Sequence, residues 1–383
     1  MTAKPRLLFV VESGTDVRLV EGLAPVYELE LACRRIAGGV EVSRPPGVSV
    51  KTVIGPASRV AFALWLLVRL LTGRDRPDLV LVQGYALAAL ASNIAGRARG
   101  FPVVMLVCSP VELYYRSRKD AADPSAPYRW FEAAGLASLA RINAHLGKRY
   151  VVLSQHLADV VASHGTKRPI HVVPVYGVDT TVFSPFLGED RDSLRTRLGL
   201  PVGLPLLLFS SRVAPEKDAE TLLLALKLLV ARGRLLRLLN RSGGFRRFQL
   251  HAAALGVGEF VDAADALPPS TELADLYRAV DLCIQASRQE GLGFSPLEAL
   301  ATGTPVIASA VGGLKETIIA DQTGWTYQPG NAEQLASVIE EALTNAKEAA
   351  RRAANGRTMV LERFERNDVF KQFVQVLDAA SGD

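Results

Sequence analysis

Leu204-Pro205-Leu206-Leu207-Leu208-Phe209-Ser210 is followed by Ser211-Arg212-Val213-Ala214-Pro215-Glu216-Lys217-Asp218, and then by the apolar-periodic stretch Ala219–Arg232. A short unbroken apolar run reads as a strand buried on both faces, which is the signature of a parallel sheet. The polar segment after it is a loop, and Asp218 stands where a helix cap is wanted. Strand, loop and helix in that order make one α/β unit.

The same unit recurs in both directions. Downstream, strands are expected at Arg234–Leu239, Phe260–Val261, Asp281–Ala286 and Pro305–Ala308. The helices between and after them are Phe245–Leu255, Thr271–Ala279, Ser295–Ala301, Lys315–Ile319, the long Ala332–Arg352 and the terminal Phe364–Ala380. Upstream, strands are expected at Arg6–Val11, Ser49–Ile54, Leu79–Gln83, Pro102–Val107, Tyr150–Leu153 and His171–Pro174. Helices are expected over Val60–Leu71, from Ala86, and over Tyr128–Leu146, with an exposed loop at 117–128. Alternation of this kind predicts an α/β fold with two doubly wound parallel sheets. The polar stretch 188–197 separates two halves, 1–190 and 191–365, with a separate helix at 366–383. A chain of 383 residues is about right for two such cores facing one another across a cleft. Ligands of doubly wound sheets bind beyond the carboxyl ends of the strands, so the loops after strands are where chemistry is expected.

Bulk properties exclude several classes. Hydrophobic residues make up 49% and charged residues 22%, so the chain folds and is not a disordered tract. Cys33, Cys108 and Cys283 have no paired spacing, which fits a reducing cytoplasm and argues against a disulfide framework or a zinc site. The longest apolar stretch, Val60–Val68, ends at Arg69, short of the roughly 20 residues that span a bilayer. It reads as a buried core helix. Residues 1–185 carry 22 Lys and Arg against 14 Asp and Glu, and the remainder carries 22 against 25. A basic first half suits an anionic partner such as a lipid headgroup or a phosphorylated acceptor. No nucleic-acid-binding motif accompanies it, so no nucleic acid partner is expected.

Three loops could carry chemistry. In Ser210–Asp218, Arg212 and Lys217 place two cations beyond a strand end, where a diphosphate would match them. The alternative is an ordinary solvated loop capped by Asp218. In Glu290-Gly291-Leu292-Gly293-Phe294-Ser295-Pro296-Leu297-Glu298, the glycines permit close backbone approach. With Ser295 as cap and Pro296 as first helical residue, the following N–H groups form an anion site. Ser295-x-x-Glu298 is also the spacing of a capping box, which needs no ligand. Glu290 has no such structural explanation. In the third loop, Arg241-Ser242-Gly243-Gly244, a phosphate or base contact and a plain strand-to-helix turn both stay open.

Taken together with Leu273–Asp281, Ala299–Ala308 and Val311-Gly312-Gly313, the Glu290–Glu298 element resembles the retaining glycosyltransferases of family 4, strongly over about 204–345 and less so before that. The resemblance implies the GT-B fold, two Rossmann-like doubly wound domains facing across a cleft, with the 366–383 helix packing back on the first. It implies that Arg212 and Lys217 bind the donor diphosphate, that Glu290 contacts the donor sugar and that Glu298 contacts the ribose. The backbone of Gly291, Gly293, Phe294 and Ser295, and the Ser242-Gly243 turn, would complete the donor site. Ser13-Gly14-Thr15 occupies the place of the family's N-terminal glycine loop, so Gly14 and Thr15 are donor candidates. Departures are present. Where many members carry histidines, this chain has Gln83 and Cys108-Ser109-Pro110-Val111-Glu112, so Ser109 and Glu112 are acceptor-side candidates by position alone. The usual Gly-x-Gly-Pro turn is replaced by Asn240–Gly244.

The activity implied is transfer of a sugar from a nucleotide-diphosphate-sugar to the hydroxyl of a carbohydrate or lipid-linked acceptor, with retention. No cofactor and no metal are expected, since two cations can take the metal's place. The expected location is cytoplasmic, with peripheral contact at the inner face of the membrane through the basic first half. Rival readings are a nucleotide-sugar epimerase of the same architecture and a non-catalytic sugar-nucleotide-binding protein. A dinucleotide dehydrogenase is disfavoured, because no Gly-x-Gly-x-x-Gly follows the first strand.

Overall fold

The computed structural model describes residues 4–12, 16–36, 50–109, 130–185, 188, 190–267 and 270–382. They fall into two compact units. One contains the described residues up to Tyr176 together with Asn367 onward, and the other runs from Gly177 to Arg366.

The first unit holds β1 (Arg6–Val11), β2 (Glu28–Arg34), β3 (Lys51–Gly55), β4 (Leu79–Gln83), β5 (Val103–Val107), β6 (Arg149–Val152) and β7 (Ile170–Val172). They form one sheet in the order β3-β2-β1-β4-β5-β6-β7, every pairing parallel. The second unit holds β8 (Leu206–Phe209), β9 (Arg237–Arg241), β10 (Val261–Ala264), β11 (Leu282–Gln285), β12 (Val306–Ser309) and β13 (Trp325–Tyr327). Its order is β10-β9-β8-β11-β12-β13, again all parallel. The central strands β5 and β8 are buried at every residue, as their unbroken apolar sequences require. In each sheet the order reverses beside the first strand of the unit, and there the loops leaving neighbouring strand ends diverge and open a binding position.

The chain passes from the first unit to the second at Tyr176–Gly177, upstream of 190, because the segment after it is tied to the second unit. The Val178 amide donates to the Phe364 carbonyl at 2.7 Å, and the Arg366 amide returns a bond to Val178 at 3.0 Å. Arg278 then holds the carbonyls of Val182 and Ser184 at 2.8 and 2.7 Å. The terminal helix Arg366–Ser381 packs on the first unit, where the Tyr27 hydroxyl donates to Asp378 at 2.6 Å.

Several elements depart from the sequence reading. Strand β2, strand β13 and helix Gln155–Ser163 were not anticipated, and the polar stretch before β8 contains a helix, Arg191–Arg197. Asp190 caps that helix through the amides of Asp192 and Ser193. The long helix expected over Ala332–Arg352 is two, Ala332–Thr344 and Ala346–Arg363. Asn345 breaks it by capping the second, its side chain accepting from the Glu348 amide at 3.2 Å. Helix Arg59–Thr72 is not a buried core helix. Phe62, Leu66 and Leu70 are buried, but Val60, Leu64, Val68 and Leu71, on the opposite side, are exposed. Among the described residues, no helix is long and apolar enough to cross a membrane.

Candidate donor site

The second unit brings the two main candidate loops into direct contact at the carboxyl ends of β8 and β11. The loop after β8 ends in a tight turn, Pro215–Lys217, and then Asp218 at φ +48°. The Asp218 carboxylate accepts from the Thr221 hydroxyl at 2.6 Å and its amide at 3.4 Å, and receives Arg288 Nε at 2.8 Å. Asp218 therefore caps helix Ala219–Ala231 and clamps the neighbouring loop. The clamp is doubled by the Glu216 carbonyl, which accepts from the Arg288 amide at 2.8 Å.

With Asp218 so fixed, Lys217 points at Glu290, its Nζ donating to Oε2. That oxygen also accepts from Ser287 Oγ at 2.9 Å and Gln285 Nε2 at 3.1 Å. Gln285 is itself held by Ser211, whose Oγ donates to Oε1 at 2.8 Å. Three donors thus converge on Oε2, and among the described residues none reaches Oε1, which is left for a ligand. Ser211, Gln285 and Ser287 were not named as site residues. One signal was available: Gln285 is a buried amide closing an otherwise apolar strand, and such a group needs partners.

Arg212 is 69% exposed and among the described residues reaches only Glu216, at 3.6 Å. Glu216 is buried, but the guanidinium end of the pair is in solvent and 3.6 Å away, so Arg212 can turn to another anion. The Lys217–Glu290 pair is mostly buried and holds its geometry.

The Glu290 loop runs into helix Phe294–Ala301, which begins earlier than its sequence suggested. Gly293, at φ +92°, is the N-cap and has no side chain with which to cap the helix. A β-carbon there would lie 2.5 Å from Leu314, so glycine is required twice over. Ser295 and Pro296 are the second and third helical residues, so Ser295 is not the cap and the capping box with Glu298 does not form. Glu298 is buried and its Oε2 accepts from the Tyr277 hydroxyl at 3.3 Å, with Ser210 Oγ 3.0 Å from the same hydroxyl. Burial, with the Glu298 carboxylate beside it, pushes the Tyr277 hydroxyl well above the ordinary phenol range, so it stays a donor. The N-terminal end of this helix directs its dipole toward the segment holding Gly291 and Gly293.

The third loop joins the first. The Gly243 carbonyl accepts from the Val213 amide at 3.1 Å, and Ser242 is buried, its hydroxyl donating to Asn240 Oδ1 at 3.0 Å. The Ser242 side chain therefore shapes the turn, while the backbone of Gly243 is the part that can meet a ligand.

In the first unit the candidates are less defined. Ser109 is exposed just beyond β5. Gly14, Thr15 and Glu112 lie outside the described residues. Cys108 is buried, its thiol pushed up to about 12 by desolvation, and so is no nucleophile. Glu12, not singled out from sequence, caps helix Leu87–Arg99 by accepting the Ala88 amide at 3.0 Å.

The profile described as Glycosyltransferase Family 4 matches residues 12–182, and the profile described as Glycosyl transferases group 1 matches 190–359. The chain belongs to glycosyltransferase family 4. Curated relatives of this family-4 chain include the D-inositol 3-phosphate glycosyltransferase of Xylanimonas cellulosilytica, 39% identical over 49% of this chain and 46% of the relative. That of Catenulispora acidiphila is 32% identical over 66% of this chain and 61% of the relative. The chain thus matches only about half to three-fifths of those relatives' lengths.

Solved structures carry the same architecture. A sucrose-phosphate synthase from Thermosynechococcus elongatus aligns with a TM-score of 0.78 at 21% identity, over 97% of this chain and 98% of that one. The Anabaena protein HepE, solved with UDP and glucose, aligns with a TM-score of 0.75 at 17% identity, over 98% and 100%. The two-sheet fold of the family-4 chain is the GT-B fold.

Proposed function

We propose that this family-4 chain transfers a sugar, with retention, from a nucleotide-diphosphate-sugar to an acceptor hydroxyl on a carbohydrate or lipid-linked molecule. The observation that carries the proposal is the convergence of Lys217 and Glu290, with Arg212 and the N-terminus of helix Phe294–Ala301 alongside, at the switch point of one sheet. Arg212, Lys217 and Glu216, Glu290 cancel in charge before ligand arrives. A diphosphate is then bound partly by exchange, Arg212 turning from the Glu216 carboxylate to phosphate while Lys217 stays on Glu290 and meets the ligand with its remaining N–H donors.

In the proposed reaction the bond from the anomeric carbon to the diphosphate oxygen breaks, and negative charge gathers on the leaving group. Arg212, Lys217 and the N–H groups of the first turn of helix Phe294–Ala301 stabilise that charge. Glu290 Oε1 accepts from a hydroxyl of the donor sugar, and Glu298 takes the ribose. The acceptor oxygen attacks from the same face, its proton passing to the departing diphosphate, so no protein nucleophile is needed. The two cations do the work a divalent metal would otherwise do.

The test is an assay with UDP-glucose first, the donor with which the Anabaena HepE structure was solved, then other nucleotide sugars. Nucleoside diphosphate release and product stereochemistry by NMR are followed with and without EDTA. The expected result is acceptor-dependent product with the donor's anomeric configuration, unchanged by EDTA. Isomerised donor without acceptor would point to the epimerase reading, inverted product would refute retention, and loss of activity in EDTA would refute metal independence.

A further inference from the structure

The three helices Arg59–Thr72, Leu87–Arg99 and Trp130–Leu146 pack side by side in the first unit. Of the fifteen large apolar side chains exposed among the described residues, eight lie on these helices, so the exposure is concentrated and not scattered. Helix Arg59–Thr72 carries the centre of it. Val60, Leu64 and Val68 are 57%, 59% and 59% exposed and Leu71 39%. Their spacing of four, four and three residues puts them on one stripe, diametrically opposite the buried stripe Phe62, Leu66 and Leu70. Ile94 and Ile142 extend the exposed surface over the neighbouring helices.

The charge on these helices is one-sided. They contain Arg59, Arg69, Arg97, Arg99 and Arg141 against a single carboxylate, Glu132. Trp65 lies between the buried and exposed stripes, half-buried, with the Arg69 guanidinium over its ring at 5.8 Å. Apolar side chains flanked by arginines, with an aromatic ring at the boundary, are what a helix lying in a lipid headgroup layer presents.

We propose that this face of the first unit docks on an anionic lipid surface, with helix Arg59–Thr72 lying parallel to it. The charge pattern selects lipid over a second copy of the chain. A two-fold contact would set five arginines against the same five, with Glu132 and the Glu30 and Glu12 carboxylates beside Arg69 and Arg59 leaving an excess of positive charge on each copy. An anionic bilayer offers phosphate to the arginines and an acyl layer to Val60, Leu64 and Val68 at once. The inference is independent of the donor reading, since vesicle binding and nucleotide binding are read separately.

The test is flotation with phosphatidylglycerol–phosphatidylcholine vesicles and with phosphatidylcholine alone, comparing the wild type with Leu64→Glu/Val68→Glu. Both positions are exposed, so the melting temperature of the variant is expected to be unchanged. The wild type should float with the anionic vesicles, the variant should bind roughly tenfold less or weaker still, and about 1 M salt should release the wild type. In the wild type, brominated anionic lipid should quench the fluorescence of Trp65 and the exposed Trp130 while buried Trp325 keeps its emission. Absence of vesicle binding and of quenching in the wild type would overturn the proposal. Equal binding by a folded variant would do the same, as would a dimer of the wild type that the variant converts to monomer.

Discussion

Lys217→Ala lowers kcat/KM by about 10²–10³-fold, the loss observed when one preorganised charge donor is removed from a developing anion. Two effects have to be separated. The ammonium sits on Glu290 Oε2 in a mostly buried pair, so its removal leaves a carboxylate held, among the described residues, by Ser287 and Gln285. That costs stability, on the order of 2 kcal/mol for a partly buried charge that keeps two of its hydrogen bonds. Against a typical total of roughly 5–15 kcal/mol the variant stays folded, and the activity loss then reports on chemistry. Glu290→Gln gives the complementary result: with its amide oxygen in the place of Oε2 the shape and the Ser287 and Lys217 hydrogen bonds are kept, and Lys217 loses the opposite charge beside it. Steady-state kinetics and a melting curve on each variant check both statements. Turnover of a folded Lys217→Ala protein within about threefold of the wild type would remove Lys217 from the mechanism.

The second large effect is expected from Gly313→Ala, remote in sequence and free of any charge. A β-carbon at 313 would lie 2.2 Å from the Gly291 carbonyl oxygen and 2.8 Å from Leu292 Cα, both main-chain atoms that no rotamer change can move. The two loops must separate by about 1 Å to restore ordinary contact. The Gly313 amide also donates to the Glu290 carbonyl at 3.1 Å, so the separation falls on the residue that carries Oε1. A displacement of this size at a reacting centre costs about 10²-fold in rate, and the overpacking itself roughly 1–3 kcal/mol. Gly135→Ala, where a β-carbon meets nothing within 4 Å, is the matched control. Near-native activity in Gly313→Ala would show that the Glu290 loop is not held from behind as described.

The sequence made the alternating pattern visible because buried parallel strands are written as short apolar runs, and β5 and β8 are of that kind. It also placed the loops of interest, since a polar stretch between an apolar run and a helix repeat has one location in such a sheet. What it could not show depends on contacts between distant segments. Ser211, Gln285 and Ser287 act together only because β8 and β11 are neighbours, so nothing in either segment alone announces the relay that orients Glu290. The capping box was a local rule overridden by tertiary structure: Leu314 and Gly313 press on the Gly291–Gly293 turn and start the helix at Phe294. Glu298 was thereby freed from the cap and joined to Tyr277. β2 was missed because Glu28 and Glu30 interrupt its apolar character near the sheet edge, and β13 because three residues carry too little pattern. Helix Arg59–Thr72 was misjudged for a different reason. Apolar residues on all sides suggest burial, and composition alone does not reveal that the second stripe faces outward.

The central claim is that the loops after β8 and β11 bind a nucleoside diphosphate. It is tested most directly by thermal-shift titration with UDP, GDP, ADP and TDP and their common sugar conjugates, on the wild type and on Arg212→Ala/Lys217→Ala. A ligand at a hundred times its dissociation constant adds about 2.7 kcal/mol to the folded state, a shift of several degrees in a chain of this size. The account predicts such a shift with one nucleotide class in the wild type and its loss in the double variant. A shift of equal size in both proteins, or none with any nucleotide, would contradict it.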